Sequence, residues 1–233
     1  MTLQSLTLYS ISSMKEVPLP RILVFSLCAL CLWLSSCSDS EPEISSVKSY
    51  VIFDYASENA LPEVRLAVFS EISEDVRRAE VVSVKCLTNN YEWNCTEPVL
   101  FSDTKKQWAG YTKLLVPKGA LIPQGAYSFV YYDAGEKSAS IPFFVNYDED
   151  AVKLKASQIL EHLGEDKKPL IEVYSAKGSV LYYGMLKNGW ADDKKIFSSD
   201  RTYESFRRIY TVSSGNVMYV MPPVYRNEKS GEN

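Results

Sequence analysis

The chain has a single histidine, His162, so any serine-histidine-aspartate arrangement would have to run through it. It lies in the last turn of a segment with helical periodicity, where an imidazole commonly satisfies the carbonyl end of a helix. No G-x-S-x-G, H-E-x-x-H or G-x-x-x-x-G-K-[ST] string occurs anywhere in the sequence. Carboxylates are the remaining route to hydrolysis. Asp148, Glu149 and Asp150 form one acidic run, and Asp192-Asp193 follow the Trp190 turn. Oxygen-rich clusters can hold calcium, yet the EF-hand spacing is missing and the first run also reads as the charged start of a helix. Glycoside hydrolysis needs two carboxylates that are not necessarily neighbours in sequence, and nothing singles out a pair. Zinc lacks a ligand set. The expectation is therefore no catalytic residue, no metal and no cofactor. Aromatic side chains are the other chemical resource. Tyr127, Phe129 and Tyr131 alternate and share one face of a strand, most simply the core, while Tyr132 points the other way. Trp108 and Trp190 sit near loop or turn edges. With Tyr132 they make the candidate binding surface.

The N-terminal stretch sets the address. Ile22 to Leu34 is an uncharged, apolar run of about thirteen residues, preceded by Lys15 and Arg21. A bilayer crossing needs roughly 20 such residues, whereas a secretory signal has a short apolar region after a basic one. Met14-Lys15 opens a more usual signal than Met1. The run ends in Leu34-Ser35-Ser36-Cys37.

That quartet resembles the lipobox of bacterial lipoproteins. The resemblance implies that residues 1–36 are a signal peptide cut before Cys37, that Cys37 carries lipid, and that the protein is held to the membrane of the cell envelope. Two or more acyl chains give a stable anchor where one does not. Ser38 to Ser46 (SDSEPEISS) then reads as a polar tether, residues 37–46 in all. Ser38 leaves outer-membrane delivery open under the sorting rule of that family, and the outer membrane is favoured over the inner.

Composition narrows the partners. The full chain carries 25 basic and 29 acidic residues, and removal of Lys15, Glu16 and Arg21 with the signal leaves an acidic product. Nucleic acid is thus not an expected partner. Sixteen tyrosines and nine phenylalanines point to a β-rich fold. Of five cysteines, Cys28 and Cys31 leave with the signal and Cys37 takes lipid. The remaining two, Cys86 and Cys95, are a disulfide candidate. Eight residues separate them, LTNNYEWN, enough to close a hairpin around Asn89-Asn90 with the two cysteines opposite one another.

Residues 47–146 show short strands at close spacing: SYVIFDY, EVRLAVFS, VVSVKC, EPVLF, WAGYTKLLVP, AYSFVYYDAG and SASIPFFV. This predicts an antiparallel β-sandwich. Pro123 to Gly135 (PQGAYSFVYYDAG) resembles the late hairpin of bacterial immunoglobulin-like and fibronectin-type modules, which implies a tyrosine packed at a sheet corner. The antibody-type Cys-Trp-Cys spacing is absent. Residues 147–224 read as a small α+β domain or an elaboration packed on the sandwich. It would hold a helix ending at Gly164, a hairpin turning at Lys177-Gly178, a short helix from Asp200 through Tyr203, Phe206, Ile209 and Tyr210, and a closing strand NVMYVMPP. Residues 225–233 read as a loose polar tail. The expected whole is mainly β: an immunoglobulin-like sandwich followed by a small α+β unit. Its expected role is a membrane-anchored, non-enzymatic binding or scaffolding module for a protein or an envelope polymer. A carboxylate-dependent envelope hydrolase is the alternative, and a solute-binding lipoprotein ranks last.

Overall fold

The computed structural model describes residues 41–73, 79–89, 91–103, 106–117, 119–212 and 216–226. Cys37 and residues 1–36, expected as a signal peptide, lie outside them. The fold is mainly β. Strands β1 (Ile44–Asp54), β2 (Glu63–Ile72), β3 (Ala79–Cys86), β4 (Glu92–Cys95), β5 (Val99–Asp103), β6 (Lys106–Leu114), β7 (Gly125–Asp133) and β8 (Ser138–Val145) come first. A 3-10 turn (Glu149–Lys153) and helix α1 (Ala156–His162) follow, then β9 (Lys167–Tyr174), β10 (Val180–Met185), helix α2 (Asp193–Ser199), β11 (Ser205–Val212), β12 (Val217–Val220) and β13 (Val224–Tyr225).

Two sheets result. The larger runs β10-β9-β11-β12-β1-β2-β6-β5, with β13 beside β11; the smaller runs β4-β3-β7-β8. All pairings are antiparallel except β1 with β12, which match Val51 to Val217 and Asp54 to Val220 in parallel. The period-2 pattern explains how the sheets stack. Val51 and Phe53 of β1, Leu66 and Val68 of β2 and Ala109 of β6 turn one way. They meet Val82 and Val84 of β3 and Tyr127, Phe129 and Tyr131 of β7, all wholly or almost wholly buried. Each large side chain so buried contributes about 1.5–3 kcal/mol. Ala156 and Ile159 of α1 close the same core over Tyr219. A second cluster, Ile171, Val173 and Phe206 under Ile196 of α2 and Trp190, continues the covered layer across β9 and β11. At Gly110, a Cβ would sit 2.1 Å from the Val68 carbonyl oxygen, with the Phe69 ring also across it, so only glycine lets β2 and β6 approach there.

The expected boundary at Asn146 does not interrupt the sheet, because β12 docks directly on β1 and carries β11, β9 and β10 with it. Three expectations are corrected. Ile44 to Ser46, assigned to the tether, already pair with Ile72 and Glu71 of β2. Residues Phe206 to Tyr210, expected as helix, form strand β11, and the helix lies earlier, at Asp193–Ser199. In β11, Phe206 faces α2 while Ile209 joins Ile52, Ala67 and Val220 on the opposite face. Burial of both faces thus imitates a helical three-residue interval. The tail, finally, begins later than expected: Tyr225 pairs with Ser205, and Arg226 is bonded to the Tyr203 and Asp200 carbonyls.

Between β12 and β13 stand Pro222 and Pro223. Neither has an N–H to give to β11, so the ladder breaks there. Arg207 of β11 repairs the break. Its Nε donates to the Met221 carbonyl at 2.7 Å, and its Nη2 donates to the Tyr55 carbonyl at 2.9 Å and the Val220 carbonyl at 3.3 Å. The same Nη2 meets Asp54 Oδ1 at 2.6 Å, and Arg65 approaches the other carboxylate oxygen at 3.7 Å. One guanidinium therefore gathers three main-chain carbonyls and a carboxylate at the end of the parallel pair, beside the proline break.

Candidate functional site

The side chains singled out in the sequence scatter over the molecule. Trp108 and Trp190 are each only 4% exposed, which corrects their reading as exposed anchors. Trp108 lies flat on the larger sheet against Phe101, with the Lys48 and Lys106 ammoniums 4.7 and 5.9 Å from its ring. Trp190 is wedged between Tyr182 and Tyr203 beneath the Lys187 ammonium. The lysine stems and ring contacts bury both indoles, a cover that turn position alone does not reveal. Tyr132 is exposed at 39%, as its outward parity requires.

Cys86 and Cys95 are free and buried. The hairpin turns sooner than the spacing suggested: the Cys86 N–H donates to the Tyr91 carbonyl at 2.7 Å, and Cys95 faces Val82. Four residues of strand, roughly 13 Å, therefore separate the two along β3, beyond the reach of a disulfide. Burial pushes the Cys95 thiol up. Burial also raises Cys86, but hydrogen bonds from the Thr88 hydroxyl and the Thr88 and Asn89 backbone outweigh it and hold that thiol below its ordinary range.

The candidate carboxylates each have a local partner. Asp148 accepts from the Asp150 N–H at 2.9 Å and pairs with His162 Nε2 at 2.6 Å. Glu149 takes the Gln124 amide at 2.8 Å, and Asp150 pairs with Lys153 at 2.8 Å. Asp192 caps α2 by accepting from the Lys194 N–H, and Asp193 pairs with Arg208 at 2.7 Å. No two of these face each other across a cleft. Among the described residues, no group of three or more His, Cys, Asp or Glu could hold a metal ion.

The structure instead brings together residues that the sequence reading passed over. At the proline break, the end of β9, its turn into β10, the start of β11 and β13 surround an open cleft of about 720 Å³. Tyr174 and Tyr225 stand on either side of Ser205, which pairs with both. Tyr225 is 47% exposed. The Gly178 turn supplies one wall, and its φ of +75° suits glycine. Ser175 Oγ is fixed there by accepting from the Ser179 N–H. Glu204 is held by its backbone, donating to Tyr174 and accepting from Arg226, so its carboxylate projects from a clamped main chain. Arg207 and Arg226 close the base, each committed through Nε and Nη2 to carbonyls. Burial, and then the Glu172 carboxylate beside it, raises the Tyr174 phenol well above its ordinary value, so it stays a neutral hydroxyl.

A second cleft of about 520 Å³ lies across Tyr225 and Arg226, walled by α2 at Phe197 and Ser198. The Arg226 guanidinium sits 5.3 Å from the Phe197 ring centre. Tyr225 and Arg226 are thus the shared ridge of two adjoining hollows. The arrangement lines one open cleft with aromatic rings, hydroxyls, a carboxylate and two guanidiniums held by carbonyls, the polar and aromatic mixture of a binding surface. Neither any known protein-family model nor any curated protein sequence matches this chain.

Proposed function

We propose that this protein is a lipid-anchored component of a bacterial cell envelope that binds, without chemistry, a protein or an envelope polymer. The carrying observation is the open cleft around Tyr225, whose polar groups are held in place by the backbone before any ligand arrives. Pre-set groups lose little freedom on binding. The Leu34-Ser35-Ser36-Cys37 quartet supports export and lipidation at Cys37, with the outer membrane favoured.

For residues 44–145 we further propose an immunoglobulin-like sandwich. Its support is the strand order β5-β6-β2-β1 facing β4-β3-β7-β8, the two-sheet order of that fold without its disulfide. The Tyr127 hydroxyl donates to the Pro123 carbonyl at 2.6 Å, the corner contact that the resemblance implies.

The test has two arms. Mass spectrometry of the native protein should find Cys37 as the first residue, carrying acyl chains; an unmodified amino terminus or a retained leader overturns the anchor. Affinity capture from native envelope, with the chain beginning at Ser38 as bait, should retain a specific protein or polymer without consuming it. Release of shortened glycan products by the bait would instead favour the hydrolase reading.

A further inference from the structure

We propose that the cleft between Tyr174 and Tyr225 binds a neutral, hydroxyl-rich glycan chain, with Tyr225 as the stacking platform and the adjoining hollow as a second sugar subsite. The inference rests on the binding-module reading and names its ligand class.

Lining chemistry is the first argument. The cleft between Tyr174 and Tyr225 contains no Leu, Ile, Val, Met or Phe, so this hollow offers no pocket for an apolar peptide side chain or an acyl chain; the adjoining one adds Phe197 and Val224 beside Asp193, Lys194 and Ser198. The first hollow offers ring faces, hydroxyls and planar polar groups instead. A sugar has one face of C–H bonds, which packs on an aromatic ring, and an edge of vicinal hydroxyls. A carboxylate meets such a hydroxyl pair with its two oxygens, and a guanidinium whose Nε and Nη2 are engaged adds the donors of Nη1.

Preorganisation is the second. The Nε and Nη2 atoms of Arg207 and Arg226 are bonded to main-chain carbonyls, which fixes both guanidinium planes. Ser175 is pinned by its turn, and Glu204 is clamped through its own N–H and carbonyl. Ring and donors therefore hold their spacing while empty, which suits a ligand recognised by the positions of its hydroxyls.

Charge and extent are the third. Asp54 sits on Arg207, and Glu204 lines the same cleft as Arg226, so the site carries carboxylates among its guanidiniums and is not a purely cationic pocket for a phosphate or a polyanion. Tyr225 and Arg226 line both hollows, so a chain of linked sugars can cross the ridge and fill each side.

The experiment is calorimetric titration of the purified protein with chitotetraose, cellotetraose, maltotetraose and mannotetraose. At least one should bind. Tyr225→Ala should weaken that binding about tenfold, Tyr225→Trp should retain it, and Glu204→Gln should weaken it with unchanged circular dichroism. Should Tyr225→Ala fail to fold, the Glu204→Gln result decides. Binding of none of the four sugars, or equal binding by wild type and Tyr225→Ala (Glu204→Gln if that variant fails to fold), overturns the proposal. So does a peptide ligand displaced by the Tyr225 change. If envelope capture still yields a specific partner while no sugar binds, the binding-module reading stands and only the glycan assignment falls.

Discussion

Asp148 shows how a residue that looks catalytic is consumed by structure. One carboxylate oxygen accepts from the Asp150 N–H at the start of the 3-10 turn, and the other meets His162 at the end of α1. The acid and the imidazole thus clip two short helical pieces together across fourteen residues of sequence. The hydrogen bond from His162, and then the Asp150 N–H, hold the Asp148 carboxyl below its ordinary range. A depressed carboxyl stabilises the fold above its unfolded pKa, near 3.9, and loses that contribution as pH falls through the folded value. Asp148→Ala should therefore cost about 1 kcal/mol at pH 7, mostly as a lost cap, because the half-exposed contact with His162 adds little. Urea unfolding of both proteins should show that gap at neutral pH and its narrowing as acid protonates the folded carboxyl.

At the element scale, the proline break is the feature to probe. Arg207 serves three main-chain carbonyls and one carboxylate with its side chain only about a fifth exposed. Arg207→Met fills similar space but leaves Asp54 and those carbonyls short of donors. A loss of about 2–3 kcal/mol should follow, read as a lower urea midpoint with an unchanged slope. Elements also show what the sequence disclosed. Strands with one buried face, such as β7 with Tyr127, Phe129 and Tyr131 inward and Tyr132 outward, were legible from alternation alone. So was the Lys177-Gly178 turn. Strand β11 was not, because it buries Phe206 on one face and Ile209 on the other, which sets its buried residues three apart. The cysteine register was missed for another reason. Spacing gives the length of a hairpin but not how many residues its turn consumes, and here that difference moves Cys95 opposite Val82. The cleft was least visible of all. Tyr174, Glu204 and Tyr225 come from three places in the chain, and only strand pairing on β11 makes them neighbours. The proline pair was the one local sign that a ladder would open there.

For the whole molecule, the decisive contact is the parallel seam between β1 and β12. It joins Val51 to Val217 and makes the eight-strand path of the larger sheet continuous. Without β12, the outer edge of β1 and the inner edge of β11 would both be bare, and Tyr219 would leave its stack on Phe53. A chain ending at Val212 should lose the single cooperative transition expected of the intact protein. Circular dichroism and tryptophan fluorescence would then report non-coincident unfolding curves.

The same seam imposes an order in time. Synthesis runs from the amino terminus, so every residue from β2 to β12 must emerge before the opening strand finds the mate on its far side. Closing so large a loop slows assembly, and an unmated apolar ribbon invites the wrong neighbour in the interval. Such a late keystone makes the interval before β12 arrives the one most exposed to mispairing.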